Sequence, residues 1–499
     1  MRRRTGPILS LLLLPLLLPA CRTDPAPARR PNLVVFLVDD LGWQDLSEPF
    51  HSERTTWNER YRTPNVERLC RQGIKFTQAY AHCVCTPTRV SLMTGINPAR
   101  HRVTHWTLRR NTATDPELEG MRRPQWNVNG LSCDAGTERA IAAPTLAQRL
   151  AAVGYRTILA GKAHFGAIDT PGADPRNLGF HVNIAGHAAG APSSYLARQN
   201  FLREQRDTIW QVPGLERYHG QDLFLTEVLT TEAIAAAQLG VAAGEPFFLY
   251  LAHYAVHTPL DADDRFVQRY RDAGLPEPEA RYAALIEGVD RSLGRVLDWL
   301  DRAGIAGDTI VMFTSDNGGL SAHTRAGPKH GHNSPLRSGK GSAYEGGVRV
   351  PLAVRWPGRI AADQVATLPV SVDDVLPTLC ELVGADSDCP DGRSYAACLL
   401  GADQTPHPLL WHSPHFWGAR GPGIEPYSAV RDGDHKLIWF YREQRAELYD
   451  VRRDPGETTD LAPSQPELTA RLRALLRQLL SERDAQLPMH QDGSPFGMP

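Results

Sequence analysis

Apolar and polar positions follow two different periods along this chain. Leu33–Val38, Thr157–Ala160, Phe247–Leu251 and Thr309–Phe313 are short, mostly apolar runs of strand length. Leu146–Val153, Leu223–Leu239 and Tyr282–Ala303 instead place apolar residues three and four apart, the spacing of helices with one buried face. Strand runs alternating with helical stretches predict an α/β domain around a large, mostly parallel sheet sandwiched by helices, over residues 31–405. Past about residue 405 the pattern changes. Tyr427–Arg431, Lys436–Tyr441 and Ala446–Val451 read as neighbouring strands on short turns, one of them carrying Asp432-Gly433-Asp434. A helix from Glu467 to about Glu482 follows Pro466. Residues 406–499 are therefore expected to form a smaller α+β subdomain with an antiparallel sheet.

The N-terminus breaks both patterns. Arg2-Arg3-Arg4 precede an apolar segment from Ile8 to Leu18, and Pro19-Ala20-Cys21 follow. A basic region, a short apolar core and a small residue before the cut predict an export signal over residues 1–20. The segment is too short, and too interrupted by proline, to span a membrane convincingly. Its LPAC ending resembles a bacterial lipoprotein signal, which implies a lipidated Cys21. Residues 21–30 would then be a tether rich in Pro and Ala. The expectation is an exported protein, periplasmic or on the outer membrane or cell surface, touching membrane only through that anchor.

Composition narrows the classes further. The 499 residues are 42% hydrophobic and 22% charged, ordinary for a folded protein and too apolar for disorder. Basic and acidic side chains number 54 and 56, so no general nucleic-acid-binding face is expected. Eight cysteines show no zinc-site spacing, and Cys380, Cys389 and Cys398 are close enough in sequence for one local disulfide. Only five of the 54 basic residues are lysines: Lys75, Lys162, Lys329, Lys340 and Lys436. Coding bias accounts for the ratio, and leaves open why lysine was kept at those five places.

Candidate chemistry lies where the strands end. Leu33–Val38 runs into Asp39-Asp40, and Thr157–Ala160 into Gly161-Lys162-Ala163-His164. Phe247–Leu251 leads to His253 and His257, and Thr309–Phe313 to Asp316-Asn317-Gly318-Gly319. Ligands of open α/β sheets bind outside the carboxyl ends of the strands. Asp39, Asp40, Asp316 and Asn317 offer only hard oxygen donors, which suits Ca²⁺, or less well Mg²⁺, rather than zinc. Each pair alone is equally a surface turn or a helix cap. Cys85-Thr86-Pro87-Thr88-Arg89 places a cysteine at a helix start, because Pro87 fits a first turn and the dipole there favours an anion. A small buried hydrophobe is the other reading of Cys85.

The stretch CTPTR followed by VSLMTG resembles the maturation and active-site signature of formylglycine-dependent sulfatases, within the alkaline-phosphatase-like superfamily. The likeness continues through VDDLGWQD, TPNVERL, GKAHFG, HYAVHTP, TSDNGG, GKGSAYEGGVRVP and ELYDVRRDPGE, over about residues 31–460. NIAGHAAG and GHNSPLRSGKGSAYEGG resemble a bacterial branch acting on sulfated polysaccharides. The resemblance implies that a formylglycine-generating or anaerobic sulfatase-maturing enzyme oxidises Cys85 to Cα-formylglycine (3-oxoalanine). One hydroxyl of its hydrate would attack sulfur, and loss of the other proton would release sulfate.

Motif by motif, it implies one Ca²⁺ on Asp39, Asp40, Asp316 and Asn317, and Arg89 fixing the diol. Lys162 and Lys340 would contact sulfate oxygens, His164 would serve the diol proton, and His257 would protonate the leaving alcohol. His101, His187, His332, Asn333 and Arg337 are the candidates for reading the sugar. Thr88 where serine is more frequent, Ala163 where tryptophan is common and Val256 where proline is common depart from the pattern without removing a reactive group. The implied activity is hydrolysis of sulfate esters on a carbohydrate, with a lean to galactose-type glycans. Two rivals stand: a phosphoester hydrolase of the same superfamily, and an inert glycan-binding surface protein with unmodified Cys85. If Lys162 and Lys340 touch sulfate, two of the five lysines mark the active site.

Overall fold

The protein was analysed as a computed structural model that describes Gly6 and residues 30–499; the export signal, Cys21 and the tether lie outside the described residues. Its main sheet has nine strands. Eight lie in the order Gln364–Ala366, Ile74–Tyr80, Arg349–Arg355, Thr309–Ser315, Asn32–Val38, Phe247–Ala252, Arg156–Gly161, Val182–Ile184; Val370–Ser371 pairs with Ile74–Tyr80. Among the described strands of this sheet, Arg349–Arg355 alone runs against its neighbours.

The central strand shows why the sheet must be covered on both faces. Val34, Phe36 and Val38 enter one buried cluster, and Leu33, Val35 and Leu37 enter another. Alternate residues point to opposite faces of a strand, so a wholly apolar run needs helices on both. Leu225–Ala243 and Glu277–Arg302 supply the first layer. Cys85–Thr94, Leu146–Ala152 and Val375–Val383 supply the second.

The expected strands and helices all form, with shifted ends. The long helix begins at Glu277 rather than Tyr282, because Pro278 falls in its first turn, where a missing N–H costs nothing. Three of the longer strands escaped the apolar pattern. Ile74–Tyr80 is broken by lysine, threonine and glutamine. Arg349–Arg355 carries Pro351, which cannot donate to the ladder, and its register slips between Val350 and Leu352. Leu409–Ser413 opens the C-terminal sheet, a four-stranded antiparallel ladder with Tyr427–Asp432, His435–Phe440 and Arg445–Asp450. The helix Pro466–Glu482 buries Leu472, Leu476 and Leu480 against it. Residues 31–499 pack as one compact unit.

The expected local disulfide does not form: among the described residues all seven cysteines, including Cys380, Cys389 and Cys398, are free. Cys380 points into the apolar cluster beneath the sheet, and Cys389 packs against Gly95. No described helix is long and apolar enough to cross a membrane.

A buried ion triad joins the two sheets. Lys436 Nζ lies 3.0 Å from Glu345 Oε1 and 3.0 Å from Glu457 Oε1. The Glu345 N–H donates to Glu457 Oε2 at 2.6 Å, and Tyr80 donates to Glu345 Oε2 at 2.8 Å. All four side chains are buried. Burial pushes the Glu457 carboxyl up to about 7 against the pull of Lys436. Removing one member of a buried charge cluster leaves uncompensated charge. Lys436→Met should therefore lower unfolding free energy by about 3–5 kcal/mol in denaturant titration; a change below about 1 kcal/mol would contradict this account of the triad.

Candidate active site

Parallel register brings four strand ends to one level. Val38 pairs with Ser315, Leu37 with Ala252, and Gly161 with Ala252. The next residues are pinned across those pairs: Asp39 N–H donates to Ala255 O at 3.0 Å, Asp316 N–H to Val38 O at 3.1 Å, and Lys162 N–H to Ala252 O at 2.7 Å. Three carboxylates thus meet, with one oxygen from each of Asp39, Asp40 and Asp316 within 4.8 Å of one another. Asp40 takes φ +61°, and its backbone N–H donates to Asp316 Oδ1 at 3.2 Å.

Three buried cations hold this cluster. Lys162 Nζ lies 2.6 Å from Asp39 Oδ2, Lys340 Nζ 2.6 Å from Asp40 Oδ1, and Arg89 donates through Nε and Nη2 to Asp316 Oδ2 at 2.9 and 2.7 Å. Arg89 Nη1 also donates to Lys162 O at 2.8 Å, so the guanidinium braces two strand ends. Burial, reinforced by Asp316, pushes the Asp39 carboxyl well above the usual range. Burial is the largest influence on Asp40 and Asp316 too, but Lys340 with His257 and Lys162 together outweigh it at Asp40, as Arg89 with Lys162 and Lys340 do at Asp316, and both sit low. Neighbouring carboxylates are driven apart in this way when they share a site.

The donor chemistry fits a cation. Asp39 Oδ1, Asp40 Oδ2 and Asn317 Oδ1 are buried and accept no hydrogen bond. Asn317 Nδ2 donates to Asp40 Oδ1 at 2.8 Å and to Gly318 O at 3.0 Å, which holds the amide oxygen free. Three unpartnered buried oxygens close together cost free energy unless something binds them. An all-oxygen set suits Ca²⁺ or Mg²⁺.

Cys85 begins the helix Cys85–Thr94, which ends at Gly95 in the left-handed region. The Gly341 N–H donates to Cys83 O at 2.8 Å, tying the loop that carries Lys340 to the residues before this helix. Burial raises the Cys85 thiol, with Lys162 and Lys340 opposing. A cavity of about 260 Å³ opens above it, and Asp40, Cys85, His164, His257 and Lys340 form its floor.

The two histidines have distinct tautomers, set by their partners. His164 Nε2 donates to Thr107 O at 2.8 Å, so Nδ1, which is buried and unpartnered, carries the lone pair. His257 Nδ1 donates to Thr258 O at 2.8 Å, leaving Nε2 as the titrating atom, 3.7 Å from Asp40 Oδ2. Burial and then Lys340 lower His257 to about 3, against Asp40. His164 is also lowered, by burial and then Lys162.

Five residues expected to read the sugar do not line this cavity. His101 is buried beneath the Cys85 helix, bonded to Ser91 Oγ at 3.1 Å and Val103 N at 3.0 Å. His187 pairs with the Tyr254 hydroxyl at 2.9 Å, and His332 with Ser321 Oγ at 3.0 Å and Ala326 O at 2.9 Å. Asn333 donates to Gly319 O and Ser338 O, and Arg337 stacks on Tyr344 and donates to Glu457 O. Each is consumed in bracing loops. His253 is likewise internal, bonded to Ser292 Oγ at 2.8 Å. The residues that do line the mouth include Trp106, Arg206, Trp210, His323 and Trp417, scattered over four segments of the chain with no periodic signal.

A buried oxygen cluster that could hold a cation, a cysteine at a helix start and two histidines lining one cavity are groups that could together serve hydrolysis of an anionic ester. With the sheet topology, they place the protein among the alkaline-phosphatase-like hydrolases. The family model described as Sulfatase matches residues 31–385, and one described as N-sulphoglucosamine sulphohydrolase, C-terminal, matches residues 339–485. The chain belongs to the sulfatase family and is a sulfuric ester hydrolase. A sulfatase of Formosa agariphila is 29% identical, over 97% of this chain and 95% of its own. The N-acetylgalactosamine-6-sulfatase of Canis lupus familiaris is 31% identical, over 77% and 68%. Among solved structures, Ps i-CgsB in complex with k-i-k-neocarrahexaose shares the fold, with TM-score 0.71 and 24% identity over 91% of this chain and 94% of that one.

Gly190 sets the position of His164. A Cβ there would stand 2.3 Å from Cε1 and 2.6 Å from Nδ1 of the ring. Gly190→Ala should displace that ring and lower kcat for a sulfate ester by about 100-fold, the scale of a 1 Å misplacement, with the melting temperature little changed; wild-type kcat in this variant would remove His164 from the reaction.

Proposed function

We propose that the protein hydrolyses sulfate esters on saccharides, with Cys85 matured to Cα-formylglycine and one Ca²⁺ held by Asp39, Asp40, Asp316 and Asn317. The observation that carries this reading is the trio of unpartnered buried oxygens beside a cavity floored by Cys85. A sugar substrate is supported by relatives named for amino sugar sulfates and by the neocarrahexaose in the structural neighbour. Those same names support the lean to galactose-type glycans.

Bound Ca²⁺ would supply positive charge that polarises a reacting oxygen and a sulfate oxygen. Formylglycine hydrate would supply a nucleophilic hydroxyl and a second hydroxyl through which sulfate can be expelled. The chain's own groups do the rest. Lys340 places an ammonium group at the floor, and Lys162 a second one buried on Asp39 near Cys85, where charge on the sulfate oxygens is stabilised in a water-poor site. A bound anionic ester would offset the pull of Lys340 on His257, so that Nε2 takes up a proton from solvent and delivers it to the sugar oxygen as the sulfur–oxygen bond breaks. His164 Nδ1, the free lone pair, accepts a proton in the release of sulfate. In sum, a water-derived oxygen ends on sulfur and the sugar leaves as its alcohol.

The phosphoester alternative is less well supported, because such sites in this superfamily use two metals held partly by histidine. Here the oxygen set gathers around one point, and both cavity histidines are tied to backbone carbonyls. Export with a lipid anchor at Cys21 belongs to the same reading, since it would bring the enzyme to polymeric substrates outside the cell.

Mass spectrometry of the Cys85 peptide from native material should show the aldehyde; an intact, alkylatable thiol in active protein would contradict the proposal. Lys162→Arg and Lys340→Arg should each lower sulfate release by about 100-fold or more, because a planar fork does not fit where a buried ammonium sits 2.6 Å from its carboxylate. Wild-type kinetics in both would exclude the assigned sulfate contacts.

A further inference from the structure

The cavity has a depth axis that the floor chemistry does not use up. Cys85, His164, Lys340 and Asp40 are buried, whereas Trp106, Trp210 and Trp417 are half-buried and Arg206 is exposed. A sugar whose sulfate reaches the floor would have its ring beside these indoles and its outer side toward Arg206. At about 260 Å³ the cavity lies just below the ~300–1,000 Å³ usual for ligand pockets, so it encloses little more than one ring.

Arg206 differs from its neighbours in having no acid. Arg203 pairs with Asp261, Arg109 with Asp207, and Arg198 with Asp222 and Asp264. Among the described residues the Arg206 guanidinium makes no ion pair or side-chain hydrogen bond, though acids stand on either side of it in sequence at Glu204 and Asp207. The single carboxylate among the cavity-lining residues, Asp40, is at the floor and already held by Lys340. His323, another polar group at the mouth beside Trp417, has its proton affinity lowered by burial and then Lys340. The mouth thus presents one fixed positive charge with nothing opposing it. A guanidinium fork matches a carboxylate or a sulfate in two parallel hydrogen bonds.

We infer that Arg206 binds a second anionic group of the substrate, on the same sugar or the next one. The preferred substrate is then a saccharide with two anionic groups, one cleaved at the floor and one retained at the mouth. This rests on the saccharide sulfatase reading and extends it to substrate class. The second group is either another sulfate or the carboxylate of a uronic acid, which share this recognition chemistry.

Binding can be separated from turnover in a Cys85→Ala background. The probes for calorimetry are galactose 6-sulfate, galactose 2,6-disulfate and an unsaturated uronyl–N-acetylgalactosamine 6-sulfate disaccharide. At least one doubly charged probe should bind about tenfold or more tightly than galactose 6-sulfate, the scale of a hydrogen-bonded charge. Adding Arg206→Gln should bring that preference to within about twofold, and Arg206→Lys should restore part of it. Loss confined to the disulfate identifies a sulfate, and loss confined to the uronyl probe identifies a carboxylate. A preference unchanged by Arg206→Gln, or an equal weakening of all three probes, overturns the inference. If wild-type enzyme nonetheless releases sulfate from these sugars, the sulfatase reading survives that result. If no probe binds and none is cleaved, the saccharide reading falls and takes this inference with it.

Discussion

Three carboxylates forced together at the ends of adjacent parallel strands are the constraint around which this molecule is arranged. Asp39, Asp40 and Asp316 could not share so small a volume in a dry interior without compensation, and Lys162, Lys340 and Arg89 provide it. The charges of these six groups cancel, yet three oxygen atoms at the centre remain without a partner. A site balanced by cations but still holding free oxygens would, on binding the proposed divalent ion, carry net positive charge. That is the electrostatic state in which an anionic ester is drawn to the floor. Balance from fixed cations also keeps the fold from depending wholly on the ion.

The support for this frame reaches beyond the main sheet. Lys340 sits on a loop tied to Cys83 through Gly341 and followed by Glu345, which enters the buried triad with Lys436 and Glu457. The C-terminal antiparallel sheet therefore anchors a segment of the catalytic pocket. Its match to a family model of its own, overlapping the main one from residue 339, agrees with that shared role.

Much of this was legible from residues alone, for a physical reason. Continuous apolar runs marked the central strands, and parallel register then obliged the polar residues after each run to meet. The lysine scarcity was legible in part. Lys340 stands at the cavity floor and Lys162 is buried on Asp39 near it, but Lys436 and Lys75 are also held by carboxylates, and Lys329 is exposed. Retained lysine here marks ion pairs with limited room more generally than it marks the active site. His187, His332, Asn333 and Arg337 misled because they lie inside motif segments; proximity in sequence does not say whether a side chain faces the cavity or the backbone behind it. Trp106, Arg206, Trp210 and Trp417 were invisible because irregular loops carry them, and no period ties a loop residue to a wall.

The most direct test of this account is calorimetric titration of Ca²⁺ into chelator-treated protein, alongside Asp316→Asn. One ion per chain, with binding lost or weakened at least about 100-fold in the variant while its fold remains intact, is the predicted result. No Ca²⁺ or Mg²⁺ binding, or equal affinity in both proteins, would contradict the claim that the strand-end carboxylates form the catalytic cation site.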